Sequence, residues 1–194
     1  MLRRTCVFSN WPLRLTLLRI IFIPFFGVLY FLPFTWAHPV ASILFLCAAV
    51  TDWLDGYLAR TLAQTTELGA FLDPVADKLL VGFALVAIVG ANGGILLSVA
   101  SAIIVMREIA ISALREWMAE LGKRASVAVG YVGKVKTTVQ MLALLVLIAY
   151  TAGQSLWWWA MGVVLLWAAA LLTLWSMVLY LKIAWRDLTL SSKR

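Results

Sequence analysis

Histidine occurs once in this chain and cysteine twice, as Cys6 near the N-terminus and Cys47 inside an apolar run. So small a set, so placed, makes neither a disulfide framework nor a zinc site. Charge is scarce as well. Charged residues make up 13% of the 194 residues and hydrophobic ones 64%, with a mean hydropathy of +0.98; soluble domains carry about 25% charge. A soluble fold of this length has too little interior to hide that much apolar surface, so the solvent it calls for is lipid. Internal repeats are absent, and the only low-complexity stretch is Trp157-Trp158-Trp159, which reads as an interfacial aromatic belt. The N-terminal MLRR before an apolar segment imitates a signal peptide. No small-residue cleavage site follows, so the segment is expected to stay as a first span.

Windows of about 20 apolar residues predict an all-α integral membrane protein with six transmembrane helices. They fall at about 13–32, 39–60, 70–91, 94–117, 135–151 and 157–181, after a short segment 1–12, and form one domain over 1–194. Pro12, the stretch Pro33 to Pro39, Asn92-Gly93-Gly94 and Gly153-Gln154 punctuate them. The formal charge of +7 is spread over a chain whose apolar stretches are nearly free of Lys and Arg, a pattern of cytosolic borders on a membrane protein and not of a nucleic-acid platform. Arg3, Arg4, Arg14 and Arg60, the group Lys123, Arg124, Lys134 and Lys136, and the tail with Lys182, Arg186, Lys193 and Arg194 all fall on one side of the predicted bundle. The connections near 33–39, 90–94 and 151–156 hold no Lys or Arg. By the positive-inside rule both termini are then cytosolic.

Against this scarcity, 28 residues from Thr51 to Lys78 hold four aspartates, Asp52, Asp55, Asp73 and Asp77. At 100° per residue, Asp52, Asp55, Gly56, Ala59 and Arg60 share an arc of about 140°, while Asp73 and Asp77 share a face of the next span. Pro74 suits that span if it lies in the first helical turn, where a missing N–H costs little. A short loop, about Thr61 to Leu68, would let the two helices aim four carboxylates at one point. Gly56, Ala59, Gly69 and Ala70 would leave room for a ligand near the backbone. Carboxylates near hydrocarbon cost several kcal/mol unless paired, and the neighbouring cations are few, Arg60 and Lys78. Two divalent ions would neutralise the set, and oxygen-only ligands favour magnesium, manganese or calcium over zinc or copper. The alternative is four solvated helix-end acids.

The spacing Asp52-x2-Asp55-Gly56-x2-Ala59-Arg60-x8-Gly69-x3-Asp73-x3-Asp77 resembles, without a departure, the signature of the CDP-alcohol phosphatidyltransferases. The stretch from Met106 to Met141, with TDWLDG, GAFLDPVADK and LTLWSM, is similar to the proteobacterial branch that uses sn-glycerol 3-phosphate. The resemblance covers nearly the whole chain and implies a six-span enzyme, commonly a homodimer, of the bacterial cytoplasmic (inner) membrane, its active site facing the cytosol. It implies transfer of the phosphatidyl group of CDP-diacylglycerol to sn-glycerol 3-phosphate with release of CMP, on the route to phosphatidylglycerol and cardiolipin. Mg2+ or Mn2+, two ions, would be held by Asp52, Asp55 and Asp73, with Asp77 bridging both or serving as catalytic base. Gly56, Ala59 and Arg60, with Asp52 and Gly69, would line the cytidine diphosphate site. A single in-line displacement is expected, since no histidine, cysteine or serine constellation lies near the aspartates for a covalent intermediate.

For the acceptor, Arg107 and Glu108 lie about halfway along the fourth span, followed by Ser112, Arg115 and Glu116. Glu108, Ser112 and Arg115 share a helical face, so one reading pairs Glu108 with Arg115. An arginine as far from a helix end as Arg107 rarely lacks a functional partner. With Lys134 and Lys136 it would hold a phosphate by charge-assisted hydrogen bonds; the other reading of the two lysines is snorkelling to the interface. Arg19 either reaches the active-site cavity or snorkels, and Asn10 and Thr16 are placed to correspond to polar residues of the family. His38 is expected to be solvated in a loop, and Trp167 and Trp175 to serve packing or a dimer. Lys123-Arg124 is expected to touch anionic membrane lipids. The competing functions are transfer to a different alcohol and a divalent-cation transporter. A transport path needs polar groups through the bilayer, whereas these acids gather at one end.

Overall fold

The computed structural model describes residues 11–62, 67–120, 131–150 and 155–191. Six helices account for them: α1 Trp11–Phe31, α2 Ala37–Leu62, α3 Glu67–Asn92, α4 Ile95–Glu120, α5 Tyr131–Ala149 and α6 Leu156–Ser191. Among the described residues there is no strand. Each helix coincides with one of the six predicted spans to within a few residues, except that α6 runs well past 181. Among the described residues, three helices, over Phe71–Asn92, Ile95–Glu120 and Leu156–Lys182, are long and apolar enough to cross a bilayer; Thr16–Phe31, Ala37–Thr51 and Val135–Ala149 are shorter apolar stretches.

Packing divides the chain into two units, Met1–Ala91 with Ile148–Gln154 and Asn92–Leu147 with Ser155–Arg194. In the first, α1 packs along α2. Its inward face carries Thr16, Arg19, Phe26 and Tyr30, all buried and recurring at helical spacing. Phe26 is the hub, stacked on Tyr30 at 5.8 Å and meeting Phe45 and Phe83 at 6.0 Å. The Phe83 ring lies so near α1 that a Cβ on Gly27 would sit 2.6 Å from its tip; a glycine is what allows this approach. In the second unit α4 packs along α6, with Ile111, Met118 and Tyr180 at the centre of one apolar cluster. Leu97, Ala100, Ser101, Ile104, Arg107, Ile111 and Met118 are the buried residues of α4. Arg107 therefore lies on the inward stripe.

The outward faces are apolar too. On α6, Trp157, Val164, Leu171 and Trp175 are exposed at intervals of seven and four, one stripe along the helix. Such a surface in water would be an aggregation hazard, and in hydrocarbon it is the ordinary one.

Two expectations about local structure change. Pro74 is not in a first turn, because α3 starts at Glu67 and the proline lies inside the helix. It has no N–H to return to the Ala70 carbonyl one turn earlier, so the ladder is broken there. His38 is not in a loop either. It sits in the first turn of α2, half-buried, with its ring edge-on to Tyr30 at 5.1 Å.

Candidate active site

The first unit supplies the acids. Asp52 and Asp55 lie on α2 near its C-terminal end, as do Gly56, Ala59 and Arg60; the side chains of all five are outside the described residues. On α3, Asp73 and Asp77 stand one turn apart, both half-buried, beside the fully buried Ala76 and Leu80. The apolar stripe that drives α3 inward thus begins with two carboxylates. Gly69, one turn before Asp73, is buried. Lys78, the neighbouring cation noted in the sequence, is exposed.

Both carboxylates are met by α1. Thr16 donates its hydroxyl to Asp73 Oδ1, and Arg19 Nη1 donates to Asp77 Oδ1 at 2.9 Å. The Arg19 side chain is 0% exposed and that of Asp77 41%, so the cation meets the carboxylate from its buried side. Of the two readings of Arg19, the structure supports contact with the acids over snorkelling. The signal was in the sequence: Arg19 shares a helical face, within about 60°, with Thr16, Phe26 and Tyr30. A charge on that face is buried, and a buried charge needs a partner.

Asp73 and Asp77 offer carboxylate oxygens, the ligand type that a hard divalent cation prefers over nitrogen or sulfur. No group of three acids, histidines or cysteines occurs among the described residues, which include Asp73 and Asp77 but not the Asp52 and Asp55 side chains.

The second unit, taken by itself, holds a group of buried charges. Glu108 Oε1 accepts from Arg107 Nη1 at 3.0 Å and also from Lys136 Nζ. Arg107 Nη2 donates to Ser176 Oγ at 2.7 Å, and Ser176 donates onward to the Thr173 carbonyl at 3.0 Å. Arg107 and Lys136 are both buried. Lys136 therefore does not snorkel. The pairing of Glu108 with Arg115 does not form either, since Glu108 is engaged by Arg107 and Lys136. Arg115 lies over the Tyr180 ring, 5.4 Å from its centroid, and its Nη2 reaches the Tyr180 hydroxyl at 3.4 Å. Ser112 turns back onto the Glu108 carbonyl at 2.6 Å. The Lys134 side chain is outside the described residues.

One carboxylate thus faces two buried cations, with a third cation across Tyr180. Excess buried positive charge is costly until an anion joins it. Deeper along the same helices, Ser101 Oγ, Gln140 Oε1 and Thr173 Oγ1 are buried and, among the described residues, have no hydrogen-bond partner; nor does Arg107 Nε. Ser176 and Tyr180 escaped the sequence reading. Thr173, Ser176 and Tyr180 recur at helical spacing in an otherwise apolar stretch, which is the signal that would have found them.

A family model described as CDP-alcohol phosphatidyltransferase matches residues 9–182. The chain is 52% identical over 179 residues to a protein of Salmonella paratyphi A (strain ATCC 9150 / SARB42) named CDP-diacylglycerol–glycerol-3-phosphate 3-phosphatidyltransferase; the match covers 92% of this chain and 97% of that one. Proteins of the same name from Shigella flexneri and Escherichia coli (strain K12) match with the same identity and coverage.

Proposed function

Because the chain belongs to the CDP-alcohol phosphatidyltransferase family, we propose that it transfers the phosphatidyl group of CDP-diacylglycerol to sn-glycerol 3-phosphate, giving phosphatidylglycerophosphate and CMP. The observation that carries the chemistry is the pair Asp73 and Asp77 on one inward face of α3, each with one oxygen held by α1. Bound by Asp52, Asp55, Asp73 and Asp77, two magnesium or manganese ions would offset the charge of the diphosphate and of the departing CMP. The protein's own groups do the rest. Gly56, Ala59, Arg60 and Gly69, with Asp52, line the site of the cytidine diphosphate. Asp77 accepts the proton of the attacking hydroxyl as the new P–O bond forms and the bond to CMP breaks. No group of this chain is acylated or phosphorylated on the way.

Arg107, Lys136 and Lys134 take the acceptor's phosphate. The buried excess of cation around Glu108 supports this assignment, since a dianionic phosphate would complete it. A neutral acceptor would leave that excess unmatched. Purified protein with CDP-diacylglycerol, magnesium and a panel of alcohols tests the reading. CMP release is expected with glycerol 3-phosphate and not with serine or inositol; preference for either of those would move the protein to another branch of the family.

The chain acts as one catalytic domain over 1–194, spans the bacterial cytoplasmic membrane six times with both termini and the aspartates on the cytosolic side, and works as a homodimer. The distribution of Lys and Arg supports the orientation. Cysteines introduced at Ala91 or Gln154 should react with a membrane-impermeant thiol reagent added to intact cells, and cysteines at Gln64 or Gly122 should stay unlabelled. Labelling at 64 or 122 would place the acids on the opposite face.

A further inference from the structure

Two contacts tie α1 to the acids of α3. Thr16 and Arg19 stand three residues apart on one face of α1, and Asp73 and Asp77 four apart on one face of α3. Thr16 meets Asp73 and Arg19 meets Asp77, so the partners run in the same order along both helices. Turning α1 by a single residue would move both donors away from their carboxylates at once. Thr16 is 0% exposed and Arg19 1%. Neither side chain is on the open side of the acids, and both are held from behind by the packed face that continues through Phe26 and Tyr30.

An aspartate carboxylate rotates readily about its last torsion. A carboxylate that must present one oxygen to a cation or to a hydroxyl proton gains from having the other fixed, because the ordering is then complete before the ligand arrives. A threonine hydroxyl suits that task at Asp73, being short, stiff at χ1 and neutral. At Asp77 the partner is a guanidinium, planar and always charged. It both aims the carboxylate and offsets its charge from the buried side.

We propose that Arg19 and Thr16 are positioning residues for the reaction, Arg19 setting the carboxylate of Asp77 and Thr16 that of Asp73, without touching substrate. The inference rests on the reading of Asp77 as base or metal ligand, so its test has to separate the two.

The test uses the purified full-length chain carrying Arg19→Met, Arg19→Lys, Thr16→Val or Asp77→Asn, and the double variant R19M/D77N. Loss of a partner that orients a metal-binding or catalytic carboxylate typically costs about 10- to 100-fold in activity or metal affinity. Arg19→Met should lower kcat on the order of 100-fold and Thr16→Val on the order of tenfold, with the KM for CDP-diacylglycerol within about threefold of wild type. Arg19→Lys should recover part of the loss, because charge is kept and the planar fork is not. Mn2+ binding, followed by electron paramagnetic resonance without substrate, should weaken in Arg19→Met by about tenfold or more. The double variant should be no slower than Asp77→Asn alone, since Arg19 acts through that carboxylate. Folded Arg19→Met with wild-type kcat and Mn2+ affinity, beside an inactive Asp77→Asn, overturns the inference and leaves the reading of Asp77 standing. An active Asp77→Asn overturns that reading and the inference with it. Should Arg19→Met fail to fold, Arg19→Lys and Thr16→Val decide, and wild-type kcat in both overturns the proposal.

Discussion

Asp77→Asn is expected to insert and fold but to lose nearly all turnover, by about 10² to 10⁴ in kcat for the base alone and more if a metal contact goes with it. The substitution keeps an oxygen where Arg19 Nη1 donates at 2.9 Å, so the link between α1 and α3 survives as a hydrogen bond to a neutral group. What is lost is the negative charge and the basic oxygen. Binding of CDP-diacylglycerol should change much less than kcat, because the other three acids remain. Stopped-time measurement of CMP release beside equilibrium binding of the CDP-lipid separates the two quantities. Activity within a few-fold of wild type at neutral pH would remove Asp77 from the chemistry.

The second large effect is expected at the acceptor. Arg107→Ala removes one of the two buried cations on Glu108 and the donor to Ser176. Lys136 still neutralises Glu108, so the change mainly removes the excess positive charge that a phosphate would meet. A charge-assisted hydrogen bond is worth about 1.5–3 kcal/mol, on the order of tenfold to a hundredfold. The KM for glycerol 3-phosphate should rise by that factor while the KM for CDP-diacylglycerol stays within about twofold. Unchanged kinetics with glycerol 3-phosphate would move the acceptor phosphate elsewhere, and the transfer chemistry would survive the result.

The fold was legible because its signal is coarse. Six apolar windows separated by Pro, Gly or Asn marked six helices, and their ends agree to a few residues for all but α6. There the apolar window stopped at 181, but the backbone continues helically to Ser191 through Lys182 and Arg186, since nothing between them breaks a helix. The acids were legible from spacing, as Asp73 and Asp77 share a face whatever their surroundings. The contacts they make were not. Arg19 was left between two readings because a long cationic side chain near a span end has both options open, and only packing against α3 selects one. The pairing around Glu108 failed for a related reason. Helical spacing pointed along α4 to Arg115, whereas the partners that form are the adjacent Arg107 and, from α5, Lys136. Periodicity reports neighbours within a helix and is silent on those across helices.

Pro74 also divides α3 into segments of unequal local stability. The first amides of any helix have no carbonyl to bond within it, and residue 74 contributes none. The stretch from Glu67 to Asp73 is therefore fastened to the rest of α3 by few backbone bonds, whereas the ladder beyond Asp77 continues to Asn92. Opening the first stretch costs less free energy than opening the second, so its amides should exchange with deuterium sooner. Asp73 and Asp77 are one turn apart on the surface of the helix yet sit on opposite sides of that break. A divalent cation held by both would stitch the loose segment to the firm one, and slower exchange before Pro74 would report its arrival.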